Sequence, residues 1–439
     1  MKPPKKRRLT GLLGRDDNLK YYTLNGILFT IVTIFSRTYA PKFMDRLGAT
    51  SLHYSLFNAL PGFVAVLTTL PGILLISRAQ NKGRIMRRFF YLSRFFPLLL
   101  LATPYLPQPL RAYAFVVLFS LMNLPESIAQ TALQSWTGSI FSPQDRAGAL
   151  STRNKLSQVI MICFSALAGF VLSLPDPKNN QAVLLIYQLF FLSSVVFGLF
   201  EIRTLSKIHE VTTPPPQKKF SPKASFQSAL AHREFRSFLL CSLLFHFGWQ
   251  MGWPLFNFYQ INVLKANELW LTLINVMSSL FMVLSYNFWA NHIRRHGYKF
   301  TTAVVCMGMA ISPVLYALSR TLPINAIMSI SMGIFTSGVT VVILGSLLES
   351  APPEEVMMCT ALHTTLTNVT LFISPFLGEL ILKTFSVYHA LYVSAAIRLL
   401  GALAFLIRWR RDPAAKSGPG RPKRSSLPFL RIAAGFARK

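Results

Sequence analysis

The chain has 439 residues, of which 52% are apolar and only 14% charged, with 36 phenylalanines and a formal net charge of +30. A soluble domain of this size has no interior large enough to hide that much apolar surface. Apolar runs of about 18 residues or more, enough to cross a bilayer core, recur from near Tyr21 to near Trp409, which makes this a polytopic membrane protein. The positive charge sits at the ends of these runs and in alternate loops, as the positive-inside rule requires, so nucleic-acid binding is set aside and both termini are expected in the cytoplasm.

In chain order, a basic N-terminus without a small-residue cleavage site leads into span 1, about Tyr21 to Ala40, read as uncleaved. Span 2 runs from about Tyr54 to Ser77, span 3 from Phe89 to Pro107 and span 4 from Leu110 to Trp136. An inner loop then leads to span 5, ending at Pro175, and span 6, ending near Phe200. The stretch that follows, to Arg233, is rich in Pro, Lys and Ser and too polar to cross, so it reads as a cytoplasmic linker with a short surface helix near Ala224 to His232. The second half repeats the pattern. Span 7 covers about Phe235 to Tyr259, span 8 Leu269 to Asn291, span 9 Thr301 to Leu318, span 10 Ile324 to Leu348, span 11 Ala361 to Lys383 and span 12 Ala390 to Trp409. The expected organisation is an N-terminal six-helix bundle (1–203), a linker (204–233), a C-terminal six-helix bundle (234–410) and a basic cytoplasmic tail (411–439). Pro interrupts spans 2, 4, 7 and 11, a pattern suited to kinked, moving helices.

A worn internal repeat supports two similar halves. The loop and helix start from Ser142 to Val159 recur as Ala351 to Val369, with Pro143 falling on Pro353, Asp145 on Glu355, Leu156 on Leu366 and Arg153 on His363. The fold class is therefore all-α, with twelve transmembrane helices in two pseudo-symmetric bundles.

Twelve spans in two sixes, a long linker after span 6, and short basic loops after spans 2 and 8 together resemble the major facilitator superfamily. The loops are Gln80-Asn81-Lys82-Gly83-Arg84 and Arg294-Arg295-His296-Gly297-Tyr298-Lys299. They keep the Gly and basic residues of the family signature but place Gln80 and Arg294 where an Asp belongs. Span 4 has no internal Arg and span 5 only Gly169 in place of a Gly-Pro-Gly run, so a typical drug/proton antiporter is not supported. The resemblance implies two bundles rocking about a central site lined by spans 1, 4, 7 and 10.

The residues point to the same spans without it. Asn123, Glu126, Gln130, Gln134 and Thr137 share one face of span 4, and His246, Trp249, Gln250, Trp253 and Asn257 one face of span 7. Weaker stripes are Asn25, Thr33 and Arg37 in span 1, Ser329, Thr336 and Thr340 in span 10, and Asn275, Ser279, Tyr286 and Trp289 in span 8. Polar faces in lipid-spanning helices look inward, either as packing glue or as a solute path.

Glu126 is the sharpest single residue, an acid near mid-depth in an apolar span. Two accounts are open: a structural ion pair with Arg37, Arg94 or Arg153, or a group that loads and releases a proton. Glu379 is expected to pair with Lys383 four residues on, and Arg398, in the middle of span 12, to cap carbonyls or else to meet a substrate anion, with the structural reading put first. Cys163, Cys241, Cys306 and Cys359 are scattered and read as free thiols. No nucleophile and base set, phosphate loop or metal cluster appears in the sequence, so neither an enzyme nor a cofactor is expected.

The expected function is a secondary transporter moving a small organic solute by alternating access, with Glu126 as the proton-coupling residue. The alternative is a transporter-like sensor or assembly factor without net transport. Arg146 and Arg153 on one side and Glu354 and Glu355 on the other are candidates for a cytoplasmic gate. The expected partners are the solute, a coupling proton and the lipid bilayer, with the chain a monomer in a bacterial inner membrane.

Overall fold

The computed structural model describes residues 17–77, 82–141, 146–176, 179–209, 230–352 and 355–412. Most of the expected linker, the basic tail, Gln80 and Asn81 lie outside the described residues, as do Glu354 and most of the polar loop before Arg146.

The first run of helices comprises α1 (Asp17–Thr33), α2 (Ser51–Ser77), α3 (Lys82–Leu100), α4 (Gln108–Ile140), α5 (Arg146–Ser173) and α6 (Asn180–Leu205). The second comprises α7 (Arg233–Phe258), α8 and α9 (residues 268–296 and 298–318), α10 (Leu322–Ser350), α11 (Val356–Thr384) and α12 (Val387–Arg410). Helices α8 and α9 run as one element from Glu268 to Leu318, broken only at Gly297, whose φ of 77° is a conformation glycine adopts without penalty. Counted across that break, twelve long helices stand among the described residues, in two runs of six.

Local chemistry explains several boundaries. Asn179 accepts a hydrogen bond from the Ala182 amide (3.1 Å) to start α6, and Asn267 caps the Trp270 amide (3.0 Å) to start α8. Between α1 and α2 the chain does not simply loop. A π-helical turn, Ile34–Thr38, prolongs α1, and a short helix, Ala40–Arg46, follows with Pro41 in its first turn. Helix α3 begins at Lys82, earlier than the apolar run alone suggests, because its first two turns are basic. Helices α4, α7 and α11 continue through Pro125, Pro254 and Pro375.

The chain divides into two compact units, one of Met1–Leu47 with Leu67–Gln217 and the other of Gly48–Val66 with Lys218–Lys439. In the first, α1 packs on α5 and α6, and α3 on α4 and α6. Its core holds Tyr22, Phe90, Ile128, Leu133 and Trp136, with a second cluster in which Phe43 meets Phe115, Tyr187 and Phe191. In the second unit α11 and α12 pack on α7, and the α8–α9 pair on α10 and α12, around Phe238, Phe245, Trp289, Met309 and Phe405.

The polarity is reversed relative to a protein built for water. Phe95, Leu240, Leu284 and Leu400 point outward with more than half their surface exposed, while Arg94, Glu201 and Arg398 are buried. Seven helices among the described residues are long and apolar enough to cross a membrane.

Candidate functional site

In the first unit the polar face of α4 meets charged side chains from three other helices. Glu126 Oε2 accepts hydrogen bonds from Arg37 Nη2 (2.9 Å), Ser93 Oγ (2.8 Å) and Arg94 Nη1 (3.0 Å). Arg37 reaches the site from the π-helical turn that prolongs α1, and its other terminal nitrogen donates to Asn123 Oδ1 (2.8 Å) one turn along α4. Such turns are often found where a helix must re-aim a functional side chain. Arg94 also meets Glu201 on α6, where Nε donates to Oε2 (2.9 Å) and Nη2 lies 2.8 Å from the same oxygen as an ion pair. The result is an alternating series, Arg37, Glu126, Arg94 and Glu201, with balanced charge, drawn from α1, α4, α3 and α6.

All three hydrogen bonds to Glu126 fall on one oxygen. Its Oε1 accepts none from the described residues. Farther along α4, Gln130 Nε2 is buried with no partner among the described residues, and Thr137 donates to the Tyr22 hydroxyl (3.3 Å). The Gln134 side chain is outside the described atoms.

Glu201 was missed as a site residue in the sequence, and Arg94 stood only as one of three possible partners for Glu126. Glu201 stands one residue past the apolar run that marks span 6, where an acid reads as an interfacial group, yet it is fully buried. The available signal was Arg94, a base inside span 3 that needs an acid somewhere. The ion-pair account of Glu126 is met here, with Arg37 and Arg94 as the partners and Arg153 elsewhere.

In the second unit, α7 contributes a ring cluster. His246 lies between Trp249 and His363 of α11, with centroids 5.5 Å from each, and Trp249 packs edge-on against Trp253 at 5.6 Å. Ser242 Oγ bridges the two imidazoles, 3.2 Å from His246 Nδ1 and 2.8 Å from His363 Nε2. His246, Trp249 and His363, but not Trp253, border a cavity of about 220 Å³ also lined by Thr340, Leu344, Thr360 and Thr364 from α10 and α11. His363 was legible as the repeat partner of Arg153, and Thr340 as part of a weak stripe. Ser242 carried no signal of its own.

Two other residues of the α7 face are used differently. Gln250 clamps α11, donating to the Thr367 carbonyl (3.1 Å) and accepting from the Thr370 hydroxyl (2.6 Å). Asn257 is half-buried and does not line the cavity. Behind the cluster, fully buried Arg398 donates to the carbonyls of Gly248, Trp249 and Met309 at 3.1 to 3.2 Å, the capping role its position suggested. Glu379 pairs with Lys383 (3.0 Å), as the spacing predicts, and also accepts from Ser51 (2.8 Å).

The gate candidates are described in part. Arg153 lies with its guanidinium 4.8 Å from the Tyr22 ring and donates to Asn25 Oδ1 (3.2 Å), its stem passing over Gly26. Glu355 stands at the start of α11, with a buried Oε2 that lacks a partner among the described residues. The Arg146 side chain and the whole of Glu354 are outside the described residues. Lys299, in the second signature loop, pairs with Asp412 (2.6 Å) and Glu234 (3.1 Å).

The sequence profile described as the Major Facilitator Superfamily matches residues 21–332 and 238–437. No curated protein matches the sequence at a significant level. Among solved structures, the fold is similar to the nucleoside transporter NupG, with a TM-score of 0.69 at 10% identity over 89% of this chain and 99% of that one. It is also similar to a POT family transporter in complex with 5-aminolevulinic acid, with a TM-score of 0.66 at 11% identity over 90% and 97%. The transporter FucP in its outward conformation gives 0.59 at 12% identity over 89% and 98%. At these identities the likeness is one of fold.

Proposed function

The chain belongs to the major facilitator superfamily and is a multi-pass membrane transporter, and on that premise we propose that it moves a small organic solute by alternating access, driven by protons that load on Glu126. The observation that carries this reading is the free oxygen of Glu126 in a charge network shared by four helices. A proton can add to Oε1 while Oε2 stays within reach of Arg37, Ser93 and Arg94. Once the carboxyl is neutral, the attraction that draws Arg37 and the end of α1 onto α4 is lost. Of the two arginines on Glu126, Arg37 is the less buried and so the one freer to leave. Proton binding thereby changes the link between α1 and α4, the helices that the family places along the path.

The solute path in this reading also takes in the α7 cluster, and Arg153 and Glu355 act near the cytoplasmic helix ends. In this reading both termini lie in the cytoplasm of a bacterial inner membrane, which the distribution of basic loops supports.

The test is solute accumulation in proteoliposomes under an imposed pH gradient. Glu126→Gln is expected to keep solute exchange but lose gradient-driven accumulation. Accumulation equal to that of the unmodified protein would refute the coupling role.

A further inference from the structure

We infer that the cavity beside His246 takes an uncharged planar ring that carries both a hydrogen-bond donor and an acceptor, an inference that rests on the transport reading in treating this ring as the kind of solute moved. The lining supplies the first argument. Among the described residues no Asp, Glu, Lys or Arg borders the cavity, so they offer a counter-charge to neither a cation nor an anion. Arg398, the nearest buried base on α12, has its donors on three backbone carbonyls.

The hydrogen-bonding pattern supplies the second. His246 Nδ1 lies 2.8 Å from the carbonyl oxygen of Ser242, which can only accept, so that nitrogen carries a proton. In the uncharged imidazole, Nε2 is then a bare acceptor, and it takes no hydrogen bond from the described residues. It calls for a donor on the ligand. The wall also holds a donor, the hydroxyl of Thr364, which calls for an acceptor, while the hydroxyls of Thr340 and Thr360 donate to the carbonyls of Ser337 and Val356 (2.8 Å each) and are left as acceptors.

The third argument is shape. The edges and faces of Trp249, His246 and His363, set at steep angles to one another, suit a flat ring packed face-to-edge rather than a flexible chain. A volume of about 220 Å³ admits one ring or a small fused pair.

The experiment uses four probes of similar size on the purified full-length protein, read by saturation-transfer NMR. They are 2-pyridone (uncharged, with N–H donor and carbonyl acceptor), toluene (uncharged, with neither), benzoate and benzylamine. The inference expects 2-pyridone to bind most tightly of the four, and His246→Phe to weaken it about tenfold, the loss of one hydrogen bond. Tighter binding of any of the other three overturns the inference, as does 2-pyridone binding that is unchanged in His246→Phe. The order of the probes needs no variant, so the test stands even if His246→Phe fails to fold. The transport reading fails separately: a protein that binds 2-pyridone in this order yet accumulates no solute under a pH gradient refutes proton-driven transport and leaves the chemistry of the cavity in place.

Discussion

Arg94 lies directly across Gly198. A side-chain carbon at that glycine would come within 2.6 Å of Arg94 Cδ, so the bare backbone of α6 is the groove along which the arginine reaches Glu201. Gly198→Leu is therefore expected to push the guanidinium off both acids, as Arg94→Met would remove it. Each substitution leaves buried carboxylates short of a partner and should cost about 3–5 kcal/mol. Because they break the same contacts, the double variant should cost little more than either single one. Unfolding midpoints of the three variants check this, and additive losses would contradict it.

A comparable test separates charge from geometry at Arg398. Lysine keeps the charge but cannot spread its donors over the carbonyls of Gly248, Trp249 and Met309 as the guanidinium fork does. Arg398→Lys should destabilise by about 1–3 kcal/mol, the cost of buried acceptors left unmet. Thermal unfolding in detergent reads the effect.

The helices were legible because most are long apolar runs bounded by basic or turn-forming residues. The π-helical turn at Ile34–Thr38 was not, since it is a backbone adjustment made by packing and leaves no residue signature. Glu126 stood out as a lone acid in an apolar run. Arg37 and Arg94 stood among three candidate partners, and Glu201 not at all, because these residues are distant in sequence and only folding selects which of several bases meets which acid. The polar stripes on α4 and α7 gave the right faces but not the division of labour on them. Gln250 and Trp249 are neighbours in sequence, yet one is bonded to α11 and the other borders the cavity.

Close backbone approach makes a further prediction. A Cβ at Gly333 on α10 would run into the backbone carbonyl of Ser278 on α8, which no side-chain rotation can relieve. Gly333→Ala should force the two helices apart and lower the unfolding temperature. Gly48→Ala, where nothing lies within 4 Å but φ is +89°, should show only the smaller cost of a strained backbone. Equal shifts for the two would argue against this account.

The Lys299 pairs should behave differently from the buried network. Glu234 is largely exposed, so Lys299→Ala is expected to cost less than about 1 kcal/mol, and less still at high salt. Denaturation at two ionic strengths reads both parts.

At Gly297 two membrane helices meet with no loop between them. A joint of one residue transmits rotation as a crankshaft does: twisting α8 about its axis must swing α9, because no slack chain exists to absorb the turn. Lengthening the joint by a single residue would rotate every face of α9 by about 100° relative to α8. A chain built this way leaves only the φ and ψ of Gly297 to take up movement between the two helices, so a displacement of one reaches the other through that single residue.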